Sequence, residues 1–256
     1  MRLKPIVVIA LNTFRENLRD KILYNLLLFA LLLIGASVTL GGLTIMEQKK
    51  IVLDIGLAAI NLVGVIIAIF VGIGLVSKEI ERRTVYTIMA RPISRTQFIL
   101  GKYGGLAFTL LLNMTVMLAA YLGTLWLNKV SIHAGLLQAV ALIYVELLLV
   151  TAIALFFSTF SSATLSATLT LGLYVVGHLT TDLKALAEKS PQAVVKTLTT
   201  ALYYVCPNLE ALNIKGEAAA GLAMGASYLA LVTAYGLLYA AVLVTGACFV
   251  FQRRDF

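Results

Sequence analysis

The chain has little charge and few of the residues that build soluble catalytic sites. Only 12% of its 256 residues are Asp, Glu, Lys or Arg, against an apolar share of 61%. Soluble domains carry about 25% charge and roughly 45–50% apolar residues, so an ordinary soluble fold is excluded. There are two cysteines, Cys206 and Cys248. The topology derived below puts them on opposite faces of a membrane, so they do not form a disulfide framework, and both read as small packing residues. The two histidines, His133 and His178, have no patterned Cys or carboxylate neighbours in the sequence. No metal site is therefore expected, and His178, in an apolar setting, reads as a packing residue. No G-x-x-x-x-G-K-[ST] phosphate loop occurs: Gly101-Lys102 is followed by Tyr103. The chain supplies no ATPase of its own and binds no cofactor by any motif read here.

Long apolar runs are what the chain does have. Mean hydropathy is +0.97. Six stretches reach or approach the ~20 residues that a helix needs to cross a bilayer, at 22–44, 51–76, 103–127, 135–157, 163–181 and 222–250. They are continuous rather than alternating, which selects helices over a barrel. The fold class is an all-α polytopic membrane protein, one domain over 1–256. The first run is too long for a signal-peptide core and lacks a small-residue cleavage site, so it reads as retained.

Net charge is +8. The positive-inside rule accounts for it better than nucleic-acid binding does. With the amino terminus inside, the inner segments hold all nine arginines together with Lys4, Lys21, Lys78 and Lys102. Lys49, Lys50 and Lys129 in short outer loops dissent mildly. Both termini are expected in the cytoplasm, on a plasma or inner membrane.

Three segments outside the spans carry a pattern. Residues 5–20, within an interfacial segment 1–21, predict an amphipathic elbow helix with Val7, Leu11, Phe14 and Leu18 on one face. Asn12, Arg15, Glu16 and Arg19 take the other. Such a helix lies in the lipid headgroup plane. The outer loop, 182–221, predicts a helix through Val194, Val195, Leu198, Ala201, Leu202 and Val205, capped by Ser190-Pro191 and ended at Cys206-Pro207. It is apolar enough to dip into the membrane as a re-entrant or interfacial hairpin.

The third segment, 77–102, packs six basic and two acidic residues between two apolar spans. Ser77 to Ala90 predicts a helix with Glu79 and Glu81 near its start and Arg91 at its end, which suits the helix dipole. Pro92 breaks it. Ser94-Arg95-Thr96-Gln97 then forms an S-x-x-Q capping box, with Ile93 and Phe98 at the staple positions. The second helix enters the third span through Gly101, Gly104 and Gly105, which allow close backbone approach. A capped helix–proline–helix elbow reads as a docking element.

Inside the spans, Glu146 lies near the middle of the fourth. Buried carboxyls at such depth are costly, so it serves either a function, such as a proton relay or cargo contact, or a hydrogen-bonded structural role. Asp54 falls in the outer headgroup zone. Asn61 and Asn113 read as interhelical glue, with Asn61 also a candidate for the path. Ser162, Ser166 and Thr170 form one small-residue stripe on the fifth span, and Thr164, Thr168 and Gly172 the next. The first is a candidate translocation path or dimer interface, with packing inside the subunit as an equal rival.

The run Lys78-Glu79-x-Glu81-Arg82-x-Thr84, then Arg91-Pro92-x-Ser94-Arg95 and Leu100-Gly101-Lys102, resembles the permease subunits of ABC-2-type transporters. It is most similar to the branch that includes the nitrous-oxide-reductase maturation permeases. The outer-loop run Cys206-Pro207-Asn208-Leu209-Glu210-Ala211-Leu212-Asn213 is similar to a second segment of that branch. The resemblance implies a coupling helix over 78–91 that docks a separate ATP-binding-cassette ATPase. Lys78, Glu79, Glu81, Arg82, Arg83 and Arg91 would be its contacts, and ATP and Mg would sit in the partner. It also implies a second permease copy, as a homodimer, and a path lined by spans two and five. Export is favoured over import, and membrane lipids rather than nucleic acid are the surroundings. Two other functions stand beside this one. One is a membrane anchor or mechanical transmitter that moves no cargo. The other is an ion-coupled carrier using Glu146, against which stands the lack of a visible inverted repeat.

Overall fold

The computed structural model describes residues 3–42, 48–81, 94–189 and 193–253. All regular structure among them is helical. The helices are α1 (Leu3–Asn17), α2 (Lys21–Gly42), α3 (Gln48–Glu81), α4 (Arg95–Leu127) and α5 (Ala134–Ser158). After these come α6 (Ala163–Lys189), α7 (Ala193–Val205), a 3-10 turn (Glu210–Leu212), α8 (Lys215–Ala219) and α9 (Ala226–Gln252). Six of them, α2 to α6 and α9, are long and apolar enough to cross a membrane.

The apolar patterning explains their arrangement. α3 and α5 are apolar on all sides and form the centre, buried over most of their length. α2, α6 and α9 surround them and turn large apolar side chains outward, among them Phe29, Leu32, Leu165, Leu171, Leu238 and Val242. In lipid such an apolar exterior costs nothing, because the solvent is itself hydrocarbon. Tyrosine hydroxyls join the central helices: Tyr121 donates to the Leu53 carbonyl at 2.8 Å, Tyr103 to Leu148 at 3.1 Å and Tyr144 to Ala107 at 3.0 Å.

The helices differ from the sequence expectation in three places, one of them α6, which runs to Lys189 past the expected end at 181. α3 runs on without a break through Ser77 to Glu81. The first part of the expected docking helix is thus a continuation of the second span. Thirty-four residues make a rod of about 51 Å at ~1.5 Å per residue, well beyond a hydrocarbon core of about 30 Å. The break at Pro92 and the residues Arg82, Arg83 and Arg91 lie outside the described residues.

Another difference concerns α1. Asn12, Arg15, Glu16 and Arg19 are exposed as expected, and so are the apolar Val7, Val8 and Leu11. A third face, unforeseen, packs against α4 through half-buried Ile6, Ile9 and Ala10 and buried Thr13 and Asn17. Asn17 donates to Thr109 at 3.2 Å, and Glu16 lies 3.7 Å from the buried Lys102 ammonium. Close contact depends on the glycines of α4. A Cβ on Gly105 would stand 2.6 Å from the Ala10 carbonyl oxygen, and one on Gly101 would stand 2.7 Å from Ile9, while one on Gly104 would meet Ala10 at an ordinary 3.9 Å. Only the first two glycines are therefore required by packing.

Gly105→Val should cost about 1–3 kcal/mol by overpacking this seam. Gly104→Ala should change stability by less than about 0.5 kcal/mol. Unfolding of the purified chain in detergent, followed by circular dichroism, checks the pair.

Candidate functional site

A chain of polar side chains runs from the buried centre of the bundle to the loop between α7 and α9. It starts at Glu146, halfway along α5, with no exposed surface. Its neighbours on that helix are almost all apolar, so partners must come from other helices. Asn61 of α3 donates its amide to Glu146 Oε2 at 2.8 Å. His178 of α6 places Nε2 3.0 Å from Glu146 Oε1. One turn earlier on the same face of α6, Tyr174 donates to Asn61 Oδ1 at 3.2 Å and packs edge-on against the imidazole at 4.7 Å. The far nitrogen of His178, Nδ1, lies 3.0 Å from Glu210 Oε2 on the 3-10 turn. Asn213 donates to both oxygens of Glu210, at 3.1 and 3.2 Å.

Burial falls off along this chain: the Glu146 side chain is 0% exposed, His178 19% and Glu210 42%. Three titratable groups are thus connected in series from the interior towards the loop. The two nitrogens of His178 face opposite carboxylates, so the three groups do not converge on one point. Among the described residues no cluster of His, Cys, Asp or Glu has the geometry to hold a metal ion. His178 was expected to be a packing residue. It is instead the link between two carboxylates, each 32 positions away in the sequence.

The run Cys206 to Asn213 is built to deliver Glu210. Asn208 accepts from the Ala211 amide at 3.2 Å and so caps the turn, while its own amide donates to the Tyr235 hydroxyl at 2.8 Å. Leu209 and Leu212 are buried in the core. The Leu209 amide donates to the Gly177 carbonyl at 3.0 Å, and a Cβ on Gly177 would stand 2.9 Å from the Leu209 side chain. Gly177 lies eight residues inside the end of its span at Ala185, or about 12 Å along the helix axis. The segment after α7 thus folds back against the interior of the bundle, alongside α6. At its far end Gln138 of α5 accepts from the Met224 amide at 2.9 Å. Cys206, outside the spans, has its thiol pushed up by burial.

The other end of the bundle gathers α1, the start of α4 and the end of α9. The capping box of α4 is complete: Ser94 Oγ accepts from the Gln97 amide at 3.2 Å, and Gln97 Oε1 accepts from the Ser94 amide at 3.1 Å. Arg95 donates to the Phe251 and Gln252 carbonyls at 3.2 and 2.9 Å, satisfying two orphan acceptors at the end of α9. Phe98 stacks on Phe251 with centroids 5.8 Å apart. The staple partner Ile93 lies outside the described residues. Lys78, Glu79 and Glu81 occupy the last turn of α3.

The small-residue stripe of α6 divides by burial. Ser166 and Thr170 are closed inside the protomer, with Ser166 Oγ 2.7 Å from Ser161 Oγ, while Ser162 is exposed. The neighbouring stripe, Thr164, Thr168 and Gly172, faces outward. Asn61 serves as interhelical glue within the cluster, and Asn113 bonds within its own helix to the Thr109 carbonyl at 2.8 Å. Asp54 is exposed near the start of α3.

A protein-family model described as "ABC-2 family transporter protein" matches residues 7–256. No curated protein matches the chain.

The cluster sets unequal costs for two substitutions at one position. Asn61→Ala removes a donor to a buried carboxyl and should cost about 1–3 kcal/mol. Asn61→Asp places a second carboxyl beside Glu146 and should cost more, about 3–5 kcal/mol near neutral pH, with part of the loss recovered in acid. Thermal unfolding of both variants in detergent at two pH values checks the order.

Proposed function

The chain belongs to the ABC-2 transporter family, and from that premise we propose that it is an exporting permease subunit driven by a separate ATPase docking on residues 77–102. A multi-pass membrane permease of an ABC transporter is what the family match and the six apolar helices establish. The match spans nearly the whole chain, and it carries the reading. In this proposal two permease copies pair, and both termini lie in the cytoplasm of a cell with this protein in its inner membrane. ATP and Mg are held by the ATPase. The two segments quoted above support, within this proposal, a place in the branch with the nitrous-oxide-reductase maturation permeases.

The shape of α3 supports the docking role. One uninterrupted helix carries Lys78, Glu79 and Glu81 at one end and Asn61 in the central cluster. A rigid-body push on its last turn is carried along the helix towards the cluster without an intervening hinge. The capped start of α4, locked to the end of α9 by Arg95, supplies a firm footing beside it. A second reading, an ion-coupled carrier, draws support from the buried Glu146–His178 pair.

Co-expression with an ATP-binding-cassette ATPase, followed by affinity purification of the permease, discriminates the two. The ATPase should co-purify in stoichiometric amount, and Glu79→Arg with Arg82→Glu should reduce its recovery at least about tenfold. Equal recovery with the double variant contradicts docking at this loop. Transport in liposomes without any ATPase would favour the carrier.

A further inference from the structure

The hydrogens on the Glu146–His178–Glu210 chain can be counted, and the count stands apart from the transport reading. A neutral imidazole has one N–H. Both nitrogens of His178 nevertheless lie 3.0 Å from a carboxyl oxygen. With both carboxyls ionised and the ring neutral, one contact would set a nitrogen lone pair against an oxygen lone pair. That is repulsive in a poorly solvated interior and leaves one ring nitrogen facing an acceptor with no hydrogen between them. Asn61 and Asn213 donate to the carboxyls, not to the ring. One added proton removes the conflict wherever it resides. On the ring it makes both nitrogens donors. On either carboxyl it makes that group the donor to the bare nitrogen.

We infer that Glu146, His178 and Glu210 form a proton-binding site whose proton latches the segment 206–214 onto the helix bundle. Glu146 comes from α5, His178 from α6 and Glu210 from the turn, while Tyr174 packs on the ring and the field of Lys215 on α8 also reaches it. When the proton leaves, one contact must open. Glu146 has no exposed surface to turn towards water, whereas Glu210 is 42% exposed on a short turn. Opening therefore occurs on the loop side. The latched state holds one proton more than the released state, so acid favours latching and alkali favours release. The ligand of this site is the proton, and its effect is to close or free the loop end of the bundle.

Glutamine reports on the proton directly. Its amide carries a fixed hydrogen where the carboxyl carries a titratable one. Glu146→Gln can accept from Asn61 and donate to His178 at every pH, and Glu210→Gln can do the same with Asn213. Cys206 reports on opening. It is buried at the head of that segment, beside a cavity of about 350 Å³ lined in part by Tyr203, Tyr204 and Tyr235. With Cys248→Ala it is the sole thiol.

The test is alkylation of Cys206 by a maleimide, with the full chain in lipid nanodiscs, from about pH 6 to about pH 9. The ratio of wild-type to glutamine-variant rates at each pH cancels the thiol's own titration. The ratio should be near one in acid and rise to at least about fivefold in alkali. His178→Ala should label fast throughout, with the same normalisation. Glu210→Gln, at the half-exposed end, carries the test if Glu146→Gln does not accumulate. A ratio that stays constant across the pH range overturns the latch, as does a glutamine variant that labels as fast as the wild type in alkali.

Discussion

A carboxyl with no exposed surface at the centre of an apolar bundle is the constraint on which the rest of this structure depends. An unpaired buried charge costs several kcal/mol, while each hydrogen bond to it returns about 1.5–3 kcal/mol. Glu146 obtains its partners from α3 and α6, through Asn61 and His178. Those two contacts fix the three helices at one depth, and Tyr174 closes the ring of bonds. The imidazole has a second nitrogen, and satisfying that one draws Glu210 in from the loop. A segment that connects two spans becomes part of the core for this reason. Buried Leu209 and Leu212 then add apolar contacts that no exposed loop would make.

The other end of the bundle is organised by caps rather than by a buried charge. Ser94 and Gln97 start α4, Arg95 ends α9, and α1 lies along the glycine seam at Gly101 and Gly105. α3 crosses from this end to the polar cluster as a single helix. In a permease driven from one side, such a layout joins the place where a motor would push to the place where the loop is fastened. The proton site and the proposed docking loop would then act on the middle and one end of the same helix.

Much of this was legible in the sequence, and the failures have a common cause. Continuous apolar runs gave the six spans, and the S-x-x-Q pattern gave the start of α4, because both signals are local. Glu146 stood out because a carboxyl amid apolar residues is rare. The role of His178 was missed because its partners lie 32 positions away on either side, at no spacing that any local period would mark. Depth gave no help either, because the span read as 163–181 leaves His178 close to its end, whereas the helix runs on to Lys189. The Cys206–Asn213 run was noticed by resemblance and, at Cys206-Pro207, as a helix end, and the structure supplies its reason: it seats Glu210. The third face of α1 was hidden because Thr13 and Asn17 are polar, and polar residues on an interfacial helix read as solvent-facing.

Hydrogen–deuterium exchange of the full chain in nanodiscs, wild type against His178→Ala, tests most directly whether the polar cluster holds the loop in the bundle. Loss of protection confined to 206–214 and the adjoining part of α6, with the start of α4 unchanged, is the predicted result. Equal protection of 206–214 in both proteins would contradict it.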